Sequence, residues 1–124
     1  MAAQLNVATL KRAIEGNEAE TLIGLYADDA VLRIVDSIHP PSHPLELHGK
    51  SEIGEFLRDV CSRTMTHHVD QSLESDGHLA FTEECQYTSG LKVLSSAMAD
   101  VSDGRITREV MVQAWDDKDP PAAT

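Results

Sequence analysis

The sequence is poor in cysteine and aromatic residues and has no long apolar run. Its two cysteines, Cys61 and Cys85, fit neither a disulfide framework nor a zinc site by spacing. Aromatic side chains are limited to Tyr26, Phe56, Phe81, Tyr87 and Trp115, so aliphatic and small residues must supply the core. No stretch approaches the length of a membrane span, and residues 1–16 lack the apolar region of a secretory signal. Basic residues are also in deficit. The 10 Lys and Arg stand against 21 Asp and Glu, a formal charge of -11. Such a surface repels phosphate backbones and anionic lipid heads, which argues against nucleic acid and membranes as partners. A soluble, cytoplasmic protein is the resulting expectation.

The 124 residues suit one domain. Val7, Leu10 and Ile14 share a helical face, and Gly16 is expected to close that helix in a left-handed conformation. Asn17 and Glu20 have capping-box spacing for a second helix with Ala19, Leu22, Ile23 and Tyr26 on its apolar side. Asp28–Asp29 ends it. Ala30 to Asp36 reads as a strand, and Ser37 to His48, with Pro40, Pro41 and Pro44, as a loop. Ile53, Phe56, Leu57, Val60 and Cys61 mark a third helix beginning near Ser51. From Thr66 the period changes to two. Asp76–Gly77 and Asp103–Gly104 are strong hairpin signals and Ser89–Gly90 a weaker one. They divide the rest into strands over about 66–75, 78–88, 91–102 and 105–116. Residues 117–124 are expected to be a disordered tail. This order predicts an α+β domain over residues 1–116, three N-terminal helices packed on a curved mixed or antiparallel sheet.

If all three turns have two central residues, the register follows. One face then carries His68, Asp70, Phe81, Glu83, Cys85, Tyr87, Leu94, Ser96, Met98, Glu109, Met111, Gln113 and Trp115. The other carries a small apolar set that includes Val93, Ser95, Ala97, Ala99, Val101, Ile106, Val110 and Val112. The helices can cover only one face, so the small apolar face is expected to pair with a second copy as an isologous dimer. The mixed face has apolar walls and a few polar groups, the usual form of a small-ligand pocket.

Several segments resemble the nuclear transport factor 2-like superfamily. Leu25-Tyr26-Ala27-Asp28-Asp29-Ala30-Val31 is similar to its helix-to-strand passage. His48-Gly49-Lys50-Ser51-Glu52-Ile53, followed by Phe56-Leu57, is similar to the start of its third helix. Asp103-Gly104-Arg105-Ile106 through Ala114-Trp115-Asp116 resembles the final hairpin of the SnoaL-like branch, named for a polyketide cyclase. The resemblance spans about residues 5–116. It implies a cone-shaped fold with an internal pocket, and in many members dimerisation through the outer sheet face. Known activities include ketosteroid isomerisation, cyclisation, dehydration and epoxide hydrolysis; other members only bind. In ketosteroid isomerase an aspartate base works with a tyrosine and a protonated aspartate. Carried over by position, these fall on Ile34, Leu10 and Met98, and none can do that work. Nor is the arginine–aspartate arrangement of limonene epoxide hydrolase evident, since Met111 and Met98 stand near the expected carboxylates.

The candidate acid–base group is His68 with Glu83, plus Glu109. Histidine titrates near neutrality, and an adjacent carboxylate orients it. A bulge in strand 66–75 would send His67 inward instead, so His67 is the alternative, with Asp70 as a further carboxylate. Tyr26, Ile34, Phe81, Cys85, Tyr87, Leu94, Ser96, Met98, Met111, Gln113 and Trp115 are the expected pocket residues. His39, His43 and His48 lie in the proline loop without helical spacing. They argue for a lid over the cone mouth and not for a metal site. Two readings stay open. One is a cofactor-free isomerase, cyclase or dehydratase acting on a small hydrophobic carbonyl compound. The other is a non-catalytic module that binds a ligand or dimerises.

Overall fold

The computed structural model describes residues 5–116; the expected disordered tail lies outside them. Helix α1 (Val7–Glu15) starts where Asn6 Oδ1 accepts the Thr9 N–H at 2.8 Å, and it buries Leu10, Ala13 and Ile14. Its end differs from expectation. Gly16 has φ -92°, and Asn17 takes the left-handed position at φ 54°. Asparagine tolerates that region better than most side chains. Asn17 therefore does not cap, and α2 (Ala19–Gly24) starts from Glu18 without a side-chain cap bond.

Strand β1 (Tyr26–Val35) begins four residues before the expected Ala30. The cause is tertiary. The Ile106 N–H donates to the Leu25 carbonyl at 2.8 Å, and Tyr26 pairs with Ile106 in a parallel ladder. That pairing draws Tyr26 out of the helix it was expected to finish. A short β2 (Leu45–His48) forms inside the expected loop and pairs antiparallel with β1. Then come α3 (Gly49–Ser62), β3 (Met65–Ser75), β4 (His78–Tyr87), β5 (Lys92–Ser102) and β6 (Arg105–Trp115). The six strands run in the order β2-β1-β6-β5-β4-β3. The helices lie over one face of this sheet, and Leu25, Leu32, Ile34, Ile53, Leu79 and Ile106 fill the space between.

Three local irregularities decide which side chains enter the cone. The Asp76–Gly77 turn has the expected two positive φ values, 50° and 79°, and pairs Ser72 with Phe81. The register then shifts between Val69 and Gln71, so that Val69 meets Glu83 and His67 meets Cys85. Asp70 is the extra residue of a β-bulge, which reverses the faces beyond it. The Val69 N–H beside the bulge donates to Glu15 Oε2 of α1 at 2.9 Å. The second irregularity is the β4–β5 turn. It holds three residues, Thr88, Ser89 and Gly90, closed by the Tyr87 N–H on the Leu91 carbonyl at 2.9 Å, with Gly90 at φ 94°. Three-residue hairpins close through one left-handed residue in this way. The third is a bulge at Thr107, where pairing steps from Val101↔Ile106 to Asp100↔Arg108.

The face assignment is corrected accordingly. On β4 and β6, Phe81, Glu83, Cys85, Glu109, Met111 and Gln113 point inward as expected. On β5 the faces are exchanged. Val93, Ser95, Ala97 and Ala99 are buried, while Leu94, Ser96 and Met98 are exposed on the outer surface. Ile106 is likewise buried. The outer face remains apolar. Val110 and Val112 stay on it as expected, but Leu73, Leu94 and Met98 take the place of Val93, Ser95, Ala97, Ala99 and Ile106. No helix among the described residues is long and apolar enough to cross a membrane.

Two glycines test the backbone reading. Gly77 has φ 79°, and a Cβ there would stand 3.3 Å from the Val101 carbonyl oxygen. Gly77→Ala should lower the unfolding free energy by about 1–2 kcal/mol. Gly24 ends α2 with nothing within 4 Å of an added Cβ. Gly24→Ala should raise it by about 0.4–1 kcal/mol. Urea denaturation of both variants checks the pair, and equal effects would contradict the assigned turn.

Candidate functional site

A cavity of about 420 Å³ opens between the helices and the inner face of the sheet. Cross-strand pairing arranges the inner face of the sheet, part of which lines this cavity, in rows. Leu79, Ala99 and Glu109 form one row, and Phe81, Ala97 and Met111 the next. Val69, Glu83, Ser95 and Gln113 follow, then His67, Cys85, Val93 and Trp115. Polar groups therefore concentrate in two adjacent rows, with Glu109 set apart among apolar neighbours. Tyr26, Ile34 and Tyr87 also line the cavity.

Glu109 is 1% exposed. Tyr26 Oη donates to its Oε1 at 2.5 Å, and its Oε2 is buried with no partner among the described residues. Burial pushes the Glu109 carboxyl up to about 7; the Tyr26 hydrogen bond opposes this and the Glu83 charge adds to it. Burial, followed by the Glu109 charge, holds the Tyr26 phenol well above its usual range. Tyr26 is thus a neutral donor, and Glu109 is a carboxyl that exchanges its proton near neutrality.

The second cluster joins β3 to β4. His67 Nδ1 lies 2.7 Å from Glu83 Oε2 and 3.2 Å from Cys85 Sγ, and Cys85 Sγ donates to Glu83 Oε2 at 3.1 Å. With Glu83 Oε2 as acceptor, His67 Nδ1 is the donor, and in that tautomer of the ring the lone pair lies on Nε2. Nε2 is buried without a partner among the described residues. Burial, then Glu83, pushes the Cys85 thiol far above its ordinary value. It is a protonated small hydrophobe and no thiolate nucleophile.

The expected His68 and Asp70 do not reach this cavity. The Asp70 bulge turns His68 outward, where its Nδ1 lies 3.2 Å from Glu15 Oε2. Asp70 itself is exposed. Leu94, Ser96 and Met98 leave the pocket for the reason given above. Ser95, buried between Glu83 and Gln113, takes a place that sequence reasoning missed. The only signal for it was the length of the turn at Thr88-Ser89-Gly90. At the mouth, Trp115 Nε1 donates to Gln113 Oε1 at 3.1 Å, and Arg63 Nη1 donates to the Tyr87 hydroxyl at 3.1 Å. Ile38 and His39 of the proline loop also border the opening. Asp36 Oδ1 accepts the Ile38 and His39 N–H groups and lies 2.9 Å from His39 Nδ1, which ties the loop to itself. His39, His43 and His48 engage Asp36, Ser42 and Glu46 respectively, so they do not converge.

No protein-family model matches the sequence, and no curated protein matches it. Solved structures do match the fold. A nuclear transport factor 2-like protein of unknown function from Burkholderia xenovorans LB400 superposes with a TM-score of 0.74 at 13% identity, over 95% of this chain and 84% of that one. A protein from Kribbella flavida DSM 17836, provisionally named a ketosteroid isomerase, gives 0.67 at 15% identity, over 94% and 79%. A de novo designed protein with a curved β-sheet gives 0.64 at 14% identity, over 90% and 84%. The architecture is the nuclear transport factor 2-like fold. A designed protein shares it, so the fold alone names no chemistry. Of the ketosteroid isomerase positions, Ile34 and Leu10 are apolar and buried, and Met98 lies outside the cone.

Proposed function

We propose that the protein binds a small hydrophobic carbonyl compound inside the cone and moves a proton beside that carbonyl without a cofactor. This is the chemistry of an isomerase, cyclase or dehydratase. The reading rests on one observation: two buried polar atoms without partners among the described residues, His67 Nε2 and Glu109 Oε2, belong to residues lining the same cavity. Leaving such atoms unpaired costs stability, and a ligand oxygen or an acidic C–H would occupy them. His67, oriented by Glu83, acts as the base. Protonated Glu109, held by Tyr26, donates to the carbonyl oxygen as charge develops on it. Phe81, Met111 and Trp115 supply the apolar wall.

The protein is further proposed to work as a homodimer through the outer sheet face.

Incubation in D2O with a panel of hydrophobic cyclic ketones, read by proton NMR, tests the chemistry. The wild type should speed α-proton exchange in at least one ketone. His67→Asn, which keeps a donor toward Glu83, and Glu109→Gln should each slow it by about 10²-fold or more. Binding without exchange would favour the non-catalytic module, and no binding at all would remove the reading.

A further inference from the structure

We propose that His67, Glu83 and Cys85 form a site for one thiophilic divalent metal ion, zinc(II) fitting best, on the wall of the cone. The three side chains offer nitrogen, oxygen and sulfur, the donor types zinc takes. Glu83 and Cys85 are two apart on β4 and so share a face, and the Asp70 bulge brings His67 opposite Cys85. All three stand on sheet strands, which hold ligands more firmly than loops do.

The donor atoms already form a triangle with edges of 2.7, 3.1 and 3.2 Å. Around a tetrahedral zinc ion the usual bond lengths imply edges of about 3.3–3.6 Å. The atoms must part by about half an ångström, within the reach of side-chain torsions. Three protein ligands leave a fourth position for water or another ligand, which is the open type of zinc site.

Charge argues the same way. Glu83 and Glu109 both reach into the cavity, and the charge of Glu83 is felt at Glu109. Among the described residues Arg63 is the one Lys or Arg on the cavity lining, and it binds Asp59 and Tyr87 at the rim. A dication with the Glu83 carboxylate and the Cys85 thiolate makes a neutral unit, which suits a dry wall. On binding, Cys85 releases its thiol proton to solvent, and the His67 ring hydrogen moves from Nδ1 to Nε2. Nε2 then donates and no longer accepts. The ion would therefore silence the base proposed above, although its binding does not depend on that proposal.

The test uses the full chain, stripped with a chelator, and no organic ligand. Calorimetric titration with Zn2+ should give one ion per chain. Titration with Co2+ should give a thiolate-to-metal charge-transfer band in the near ultraviolet. Cys61→Ser should keep both signals. Cys85→Ser should lose the band and bind Zn2+ more weakly by about a hundredfold or more, since even outer-shell partners are worth 10- to 100-fold. The absence of a band in the wild type would overturn the site, whatever the variants do. So would a band that survives in Cys85→Ser, or Zn2+ binding that Cys85→Ser leaves unchanged.

Discussion

Glutamine in place of Glu109 should stabilise the folded chain by about 3 kcal/mol at pH 8 and by almost nothing at pH 4. The carboxyl sits near 7 when folded and at 4.5 as the unperturbed group, and each unit of difference is worth about 1.4 kcal/mol. For an acid whose folded value is raised, the folded state keeps a proton that the unfolded state has lost. Stability is then complete below about 4.5, falls as pH rises through 7, and levels off above it. Glutamine removes the ionisation and still offers Tyr26 Oη an oxygen. Urea denaturation of both proteins from pH 4 to 9 isolates this one group, because every other titration is common to the pair. A difference that does not change with pH would show that Glu109 stays charged in the cone. The proposed proton donor would then be lost.

The second large effect concerns the outer face. Met98→Glu should convert a dimer into a monomer and leave the cavity intact. Met98 is 66% exposed, pairs with Val110, and lines a surface groove of about 650 Å³ together with Leu73, Val110 and Val112. Exposed apolar area of this kind, continuous across neighbouring strands, marks an interaction surface. In an isologous interface every substitution enters twice. A carboxylate left unpaired in a buried interface costs about 3–5 kcal/mol, so the dimer constant should weaken by about 10³-fold or more. Sedimentation equilibrium measures this directly. A wild type that is already monomeric at tens of micromolar would end the dimer proposal. The same variant tests the register. The sequence-based register puts Met98 in the pocket, where a charge would abolish ligand binding. In the structure it points away.

How far the site can be read from the sequence differs from strand to strand. Glu83, Cys85, Glu109 and Gln113 fall on the inner wall in the sequence-based register as well. For β4 this follows from its clear alternation and the Asp76–Gly77 turn. For β6 it follows because the extra residue in the β4–β5 turn and the bulge at Thr107 offset each other. The choice between His67 and His68 cannot be made that way. Both parities of β3 fit its side chains, and the bulge at Asp70 lies against α1, where Glu15 accepts the Val69 N–H from 54 residues away. Tyr26 is legible as a pocket residue but not as the partner of Glu109. That pairing needs β1 to begin at Tyr26, which only its parallel ladder with β6 brings about. Ser95 and Met98 exchange places because Thr88 can serve either as the last strand residue or as the first residue of the turn.

From the sequence alone came the order of the elements other than β2, the α+β class, the acidic charge and the relative facing of strand residues not separated by a bulge. Side chains alternate with a period of two, and that holds before a strand has any neighbour. Which of a strand's two sides enters the cone was decided by pairing between strands. One inserted residue reverses all of β5 when it lies in the turn before Leu91, and the remainder of β3 when it lies at Asp70, while leaving composition and local propensity almost unchanged.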